Sequence, residues 1–116
     1  MRLTQLEPMW LRWKEEDSRQ FFSNVDSIEE AQGIRFLCPK CFQANGGRVG
    51  THQVLCWSSS RGVPAHATPG PGRWRLVGTN FEDLTLDCEP GKSRSVLLLG
   101  GCAWHGFVTN GEVTLA

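Results

Sequence analysis

The chain predicts a small, mostly β domain with one short helix. Three observations carry this. Thirteen glycines and six prolines are spread over 116 residues, a density of turn formers that keeps elements short. The apolar runs are brief and alternate with polar residues, as half-buried strands require. No stretch sustains the 3.6-residue period of a long helix.

The elements follow in order. EPMWLRW (7–13) is aromatic and loosely alternating, so it reads as a first strand, and KEEDSR (14–19) as a polar turn. QFFSNV (20–25) is a second strand. The short helix is expected over DSIEEAQG (26–33), with Ser27 as cap, Glu30 three residues on, and Gly33 as the left-handed stop. IRFL (34–37) is a third strand. VGTHQVLCW (49–57) is expected to be a central strand. SSSRGVPAHATPGPG (58–72), broken by three prolines and three glycines, is a loop. RWRLVGT (73–79) and FEDLTL (81–86) are two more strands, and EPGKSR (89–94) turns the chain. SVLLLGG (95–101) leads into CAWHGF, and VTNGEVTL (108–115) contains Asn110-Gly111, a strong hairpin signal.

Forty per cent apolar and 21 per cent charged residues fit one globular domain, residues 1–116, with residues 1–30 as an N-terminal extension packing on the body. The longest apolar run, SVLLLGG, is too short for a membrane helix. MRLTQLEPMWLRWKEED has neither an uninterrupted apolar stretch nor a small-residue cleavage site, so the expected location is the cytoplasm. Five cysteines there are expected to be reduced or metal-bound. Net charge is zero, yet residues 1–30 hold seven acids against four bases, and residues 31–116 eight bases against five acids. That asymmetry permits an acidic or nucleic-acid partner without requiring one.

Cys38-Pro-Lys-Cys41 has the spacing of a metal knuckle, in which two thiolates converge on one ion. Sixty residues later stands Cys102-Ala-Trp-His105, again with two residues between ligand types. Together Cys38, Cys41, Cys102 and His105 make the expected Cys3His zinc set. The domain is then zinc-ribbon-like, with a β insertion between two knuckles. A redox dithiol would need Cys38 at a helix N-terminus, and FQANGG after Cys41 predicts a poor helix. A zinc deaminase would need a His-x-Glu that none of the three histidines supplies. Cys56 reads as a buried structural thiol, Cys88 as exposed, and His66 as a solvated loop residue. His52, at a strand start, is a candidate to steady a ligand or act as a base, against the plainer reading of an ordinary sheet histidine.

EEAQGIRFLCPKCFQANGGRVGTHQVLCW and SVLLLGGCAWHGFVTNGEV resemble a family of small bacteriophage and prophage proteins. That family has Cys-Pro-x-Cys, a tryptophan, a Pro-Ser-Ile-like element, Cys-x-x-His and an Asn-Gly-x-Val tail. Cys38, Cys41, Trp57, Cys102 and His105 match. The Pro-Ser-Ile element stands here as Arg94-Ser95-Val96, without the proline. The resemblance covers most of residues 27–116 and implies a phage or prophage origin, hence the cytoplasm of a bacterial host, and a metal-binding β fold. Members often carry the label ammonia monooxygenase, which is a mislabel for this chain: such chemistry needs membrane spans and copper ligands that this sequence lacks.

The expected function is a zinc-stabilised accessory protein that binds a protein or nucleic acid in the host cell, with loop 58–72 as the candidate contact segment. Trp57, Arg61, Arg73, Trp74 and Arg94 are the candidate binding surface. The alternative is a small zinc hydrolase with an open metal position, in which His52 or Ser95 assists a metal-bound water.

Overall fold

The computed structural model describes residues 1–114. Its main feature is a four-stranded antiparallel sheet made from β1 (Met9–Glu16), β2 (Arg19–Val25), β3 (Gly33–Leu37) and β4 (Gln53–Trp57), in the order β2-β1-β3-β4. One helix, α1 (Pro39–Asn45), joins β3 to β4. Shorter antiparallel pairs follow: β5 (Trp74–Val77) with β6 (Thr85–Cys88), β7 (Val96–Leu97) with β8 (His105–Gly106), and β9 (Val108–Thr109) with β10 (Glu112–Val113). The fold is therefore mostly β with one helix, as the sequence predicts.

Two hairpins form where the turn chemistry allows a tight reversal. Asn110 and Gly111 take φ values of 48° and 76° between β9 and β10. Asp17 and Ser18 do the same at 51° and 64° between β1 and β2. Positive φ at both central residues matches the right-handed twist of the flanking strands.

Three sequence expectations need correcting. Residues 26–33 form no helix; they make a turn with Glu30 N–H on the Ser27 carbonyl and Ala31 N–H on that of Ile28. Glu30 reaches back to the Asp26 amide, so Ser27 caps nothing. The helix lies instead at Pro39–Asn45, inside the segment judged a poor helix former. Pro39 sits in its first turn, where a missing N–H costs nothing, and Gly46 ends it in the left-handed conformation at φ 70°. Finally, β4 is an edge strand, although Val54, Cys56 and Trp57 are all buried.

That combination arises because the sheet is covered on both faces. The register aligns Trp10, Ile34 and Cys56 in one row, and Leu11, Gly33 and Trp57 in the next. The first row faces the main core, with Phe36, Leu84, Leu86, Trp104 and Val108. The second row faces a smaller cluster closed by Val63 and Ala67 from the loop after β4. Loop 58–72 is thus a lid on the sheet. Arg73, almost wholly buried, ties it down by donating to the carbonyls of Pro64, Ala65, Ala67, Pro69 and Gly72. Trp57 Nε1 donates to the Thr68 carbonyl at 2.9 Å.

The two faces meet at Gly33. A Cβ there would strike the Trp57 ring and come within 2.7 Å of the Cys56 carbonyl oxygen. Gly33→Ala is expected to destabilise the domain by about 1–3 kcal/mol, the usual cost of overpacking. Gly100→Ala, whose added methyl meets nothing within 4 Å, should change stability by less than about 0.5 kcal/mol. Urea midpoints of the two variants check the contrast.

The chain ends are stitched together. Leu3 N–H donates to the Gly111 carbonyl and Val113 N–H to that of Met1, each at 2.8 Å. Leu3 and Leu6, on a 3-10 turn before β1, are fully buried. With β1 and β2 forming half of the main sheet, residues 1–30 are an integral part of the body.

Candidate metal centre

Cys38 stands between β3 and α1, as the residue that caps the helix start. Its N–H donates to the His52 carbonyl at 2.9 Å, and its carbonyl accepts the Phe42 N–H of the first helical turn. Three residues apart on that turn, Cys38 and Cys41 lie on one side, because residues i and i+3 of a helix are neighbours. The antiparallel ladder Leu37↔Gln53 continues one step further, which sets His52 opposite Cys38. The turn Gly100–Ala103, closed by the Ala103 N–H on the Gly100 carbonyl, brings Cys102 to the same place.

The donor atoms of Cys38, Cys41, His52 and Cys102 all lie within 4.8 Å of one another. Cys38 Sγ and His52 Nε2 are each 3.4 Å from Cys102 Sγ. Lys40 Nζ donates to the Cys102 carbonyl at 2.8 Å, so one knuckle holds the backbone of the other. His52 Nδ1 lies 3.3 Å from the Gln53 carbonyl, a partner that can take the ring proton when Nε2 serves as a ligand.

Comparison with family models, curated proteins and solved structures finds no match. The chemistry of the cluster therefore rests on its own geometry.

Burial pushes the Cys38 thiol up to about 12 and also raises Cys41. At Cys102 burial acts in the same direction but is outweighed by hydrogen bonds from His52, the Trp104 backbone and the other two thiols. Its pKa falls to about 6. Without a cation, negative charge is thus favoured at Cys102 and opposed at Cys38 and Cys41. A bound metal removes that conflict by neutralising the sulfurs it ligates. Three sulfurs and an imidazole converging on one point form a set suited to binding a metal ion.

The fourth member is His52, and His105 stands elsewhere. From Ala103, with φ 54°, the chain leaves the turn extended, so Trp104 faces the core and His105 faces out. His105 packs beside Phe107, ring centroids 6.4 Å apart. The spacing Cys-x-x-His therefore fails for the same reason that Cys-x-x-Cys succeeds. Residues three apart share a side of a helical turn but lie on opposite sides of an extended segment. The usable sequence signal was Cys-x2-Cys-x10-His, with the histidine at the start of the strand that pairs with the one before the first cysteine.

The other candidates are dispersed. Ser95 bonds to Ser93, hydroxyl to hydroxyl at 2.9 Å, apart from the four donors. Trp57, Arg73 and Trp74 are buried, so they offer little area to a contact surface, and Trp74 shows only an edge beside the segment Pro69–Gly72. Trp74 Nε1 donates to the Arg94 carbonyl at 3.0 Å. Arg61 is half-buried and binds the carbonyls of Ile28 and Ala31. Arg94 spans Thr109 and Asp87, with its guanidinium over the Phe107 ring. These five residues brace the fold because backbone carbonyls at loop crossings need donors, and long side chains from neighbouring strands supply them. Cys56 is a fully buried core thiol and Cys88 is exposed, both as expected. His66 is exposed but lies 3.1 Å from Glu15 and edge-on to Trp13. Among the described residues no helix is long and apolar enough to cross a membrane.

Sequence reading missed Lys40 and Trp104. Lys40 looks like an ordinary surface lysine until the second knuckle is seen beside it. Trp104, fully buried between Cys102 and His105, is the residue that turns His105 outward.

Proposed function

We propose that this chain is a zinc-stapled accessory protein, of the phage or prophage kind its motifs resemble, and that it works by binding a protein partner in the bacterial cytoplasm. One observation carries the zinc reading: four donors, three sulfurs and one imidazole nitrogen, converge within 4.8 Å. Zinc with sulfur bonds of about 2.3 Å makes a tetrahedron whose edges are about 3.8 Å. The 3.4 Å contacts at Cys102 fit that scale. Soft thiolates with imidazole favour zinc over harder cations such as magnesium or calcium.

Four protein donors close a tetrahedral site, which favours a structural metal over a hydrolytic one. His52, the residue a hydrolase would use as base, is taken up as a ligand. The nucleic-acid branch loses its support as well, since Trp57, Arg73 and Trp74 are buried. A protein partner is the reading that remains.

The test is a zinc count by native mass and elemental analysis, followed by chelator competition on two histidine variants. The wild type is expected to hold one zinc per chain. Losing an outer-shell partner already lowers metal affinity by about 10–100-fold, so His52→Ala, which removes a ligand, should lower it by more than about 100-fold. His105→Ala should leave it unchanged. Retention by His52→Ala with loss by His105→Ala would overturn the assignment.

A further inference from the structure

Beside the metal centre lies a groove of about 840 Å³, a volume typical of ligand sites. One wall is β4, from Gln53 to Leu55, with His52 at its end. The opposite wall is the β7 segment from Ser95 through Leu99. Among the described residues both walls are strand edges paired on one side only, β4 with β3 and β7 with β8, and Pro69–Gly72 with Trp74 complete the lining.

The hydrogen-bond phase on each wall decides which backbone groups face the groove. Cys38 N–H bonds to the His52 carbonyl and Ser58 N–H to that of Gln32. The residues of β4 that exchange bonds with β3 are therefore Val54 and Cys56. Gln53 and Leu55 turn their N–H and C=O groups the other way. On β7, Leu98 N–H bonds to the Trp104 carbonyl, so Leu97 points its backbone groups away from β8. Leu97 and Leu99 also expose their side chains, 55 % and 88 %. The Gln53 carbonyl already meets His52 Nδ1, so among the described residues the groove offers the Gln53 N–H and the Leu55 N–H and C=O on one side and the Leu97 backbone groups on the other, with apolar side chains beside them.

A ligand without amides would leave those backbone groups unpaired, whereas an extended peptide pairs them along its length. The lining contains one ammonium, Lys92, and no carboxylate. We propose that the groove takes an extended segment of a partner protein, apolar at alternate positions and bearing an acidic residue, which adds as a strand to the β4 edge. This rests on the binding-module reading above and names the partner's chemistry.

The test uses the zinc-loaded full chain and a blocked peptide, acetyl-Glu-Val-Thr-Ile-Thr-Val-Glu-amide, followed by polarisation and by amide hydrogen exchange. Binding is expected, with new protection at the Leu55 and Leu97 amides. Leu55→Pro should weaken it about three- to tenfold by deleting one outward donor. An edge strand tolerates that proline because the lost N–H faces away from the sheet. Lys92→Glu, at an exposed site, should weaken the same peptide and improve binding of its lysine-ended counterpart. N-methylating alternate amides of the peptide should abolish binding.

Absence of binding, or binding indifferent to N-methylation and to Leu55→Pro, would overturn the proposal. So would Leu55 protection that rises with protein concentration in the absence of peptide, because a second copy would then be the occupant. Zinc content and thermal midpoint are measured on the same samples. A folded, zinc-loaded chain that ignores the peptide sinks the groove inference alone, and a chain without zinc sinks the metal reading first.

Discussion

Cys38→Ser is expected to leave the chain unfolded at 25 °C, with no zinc bound and no cooperative thermal transition. Cys38 is fully buried and touches three of the structural devices that meet at the metal centre. It follows β3 directly, caps the start of α1, and faces Cys102 across 3.4 Å. A structural zinc contributes about 10–16 kcal/mol of apparent binding free energy, whereas a domain of this size has a net stability of about 5–15 kcal/mol. Loss of the ion therefore exceeds what the remaining core can absorb. Chelating the wild type should produce the same unfolded spectrum without any substitution, and re-adding zinc should restore the native one. Cys56→Ala is the comparison, a buried thiol away from the four donors; it should keep its zinc and lose about 1 kcal/mol. Circular dichroism with zinc analysis decides the matter. A Cys38→Ser chain that stays folded with the wild-type midpoint would show that the site is not structural.

Trp104→Ala is expected to cost about 3–5 kcal/mol, the range for removing a large buried aromatic. The ring is fully buried, meets Phe36 edge to face at 6.0 Å, and donates from Nε1 to the Thr114 carbonyl at 2.9 Å. The substitution thus leaves a cavity and an unpaired carbonyl together. Each kcal/mol lowers the midpoint of a domain this size by about 4–8 °C, so the loss should exceed about 10 °C. Zinc affinity should fall as well, because Trp104 anchors the strand that follows Cys102. A loss below about 1 kcal/mol in denaturant titration would mean that Trp104 does not seat that segment.

The same tryptophan marks the limit of what local sequence reveals. Cys38 and Cys41 were legible because two residues between thiols place both on one turn, whatever surrounds them. Cys102 was legible as a third thiol beside glycines. His105 was chosen over His52 on a spacing rule that holds only where the backbone bends. Whether residues 102–105 bend or extend depends on Trp104 finding Phe36 in the core. The helix at Pro39–Asn45 was missed for a related reason. Seven residues have little helical stability of their own, and this segment is held by Pro39 in its first turn, Gly46 at its end and Phe42 packed against the core.

By itself, the sequence determined the mostly β architecture, the Asn110-Gly111 hairpin, and three cysteines poised to share an ion. These follow from short-range chemistry: alternation, turn residues and fixed spacings. Only the tertiary structure decided that His52 completes the set, that β4 lies at an edge, and that Trp57, Arg73 and Trp74 are interior. Each of those depends on strand register and on loop 58–72 folding over the second face of the sheet. Contacts between residues distant in sequence are set by packing, and no local pattern encodes them.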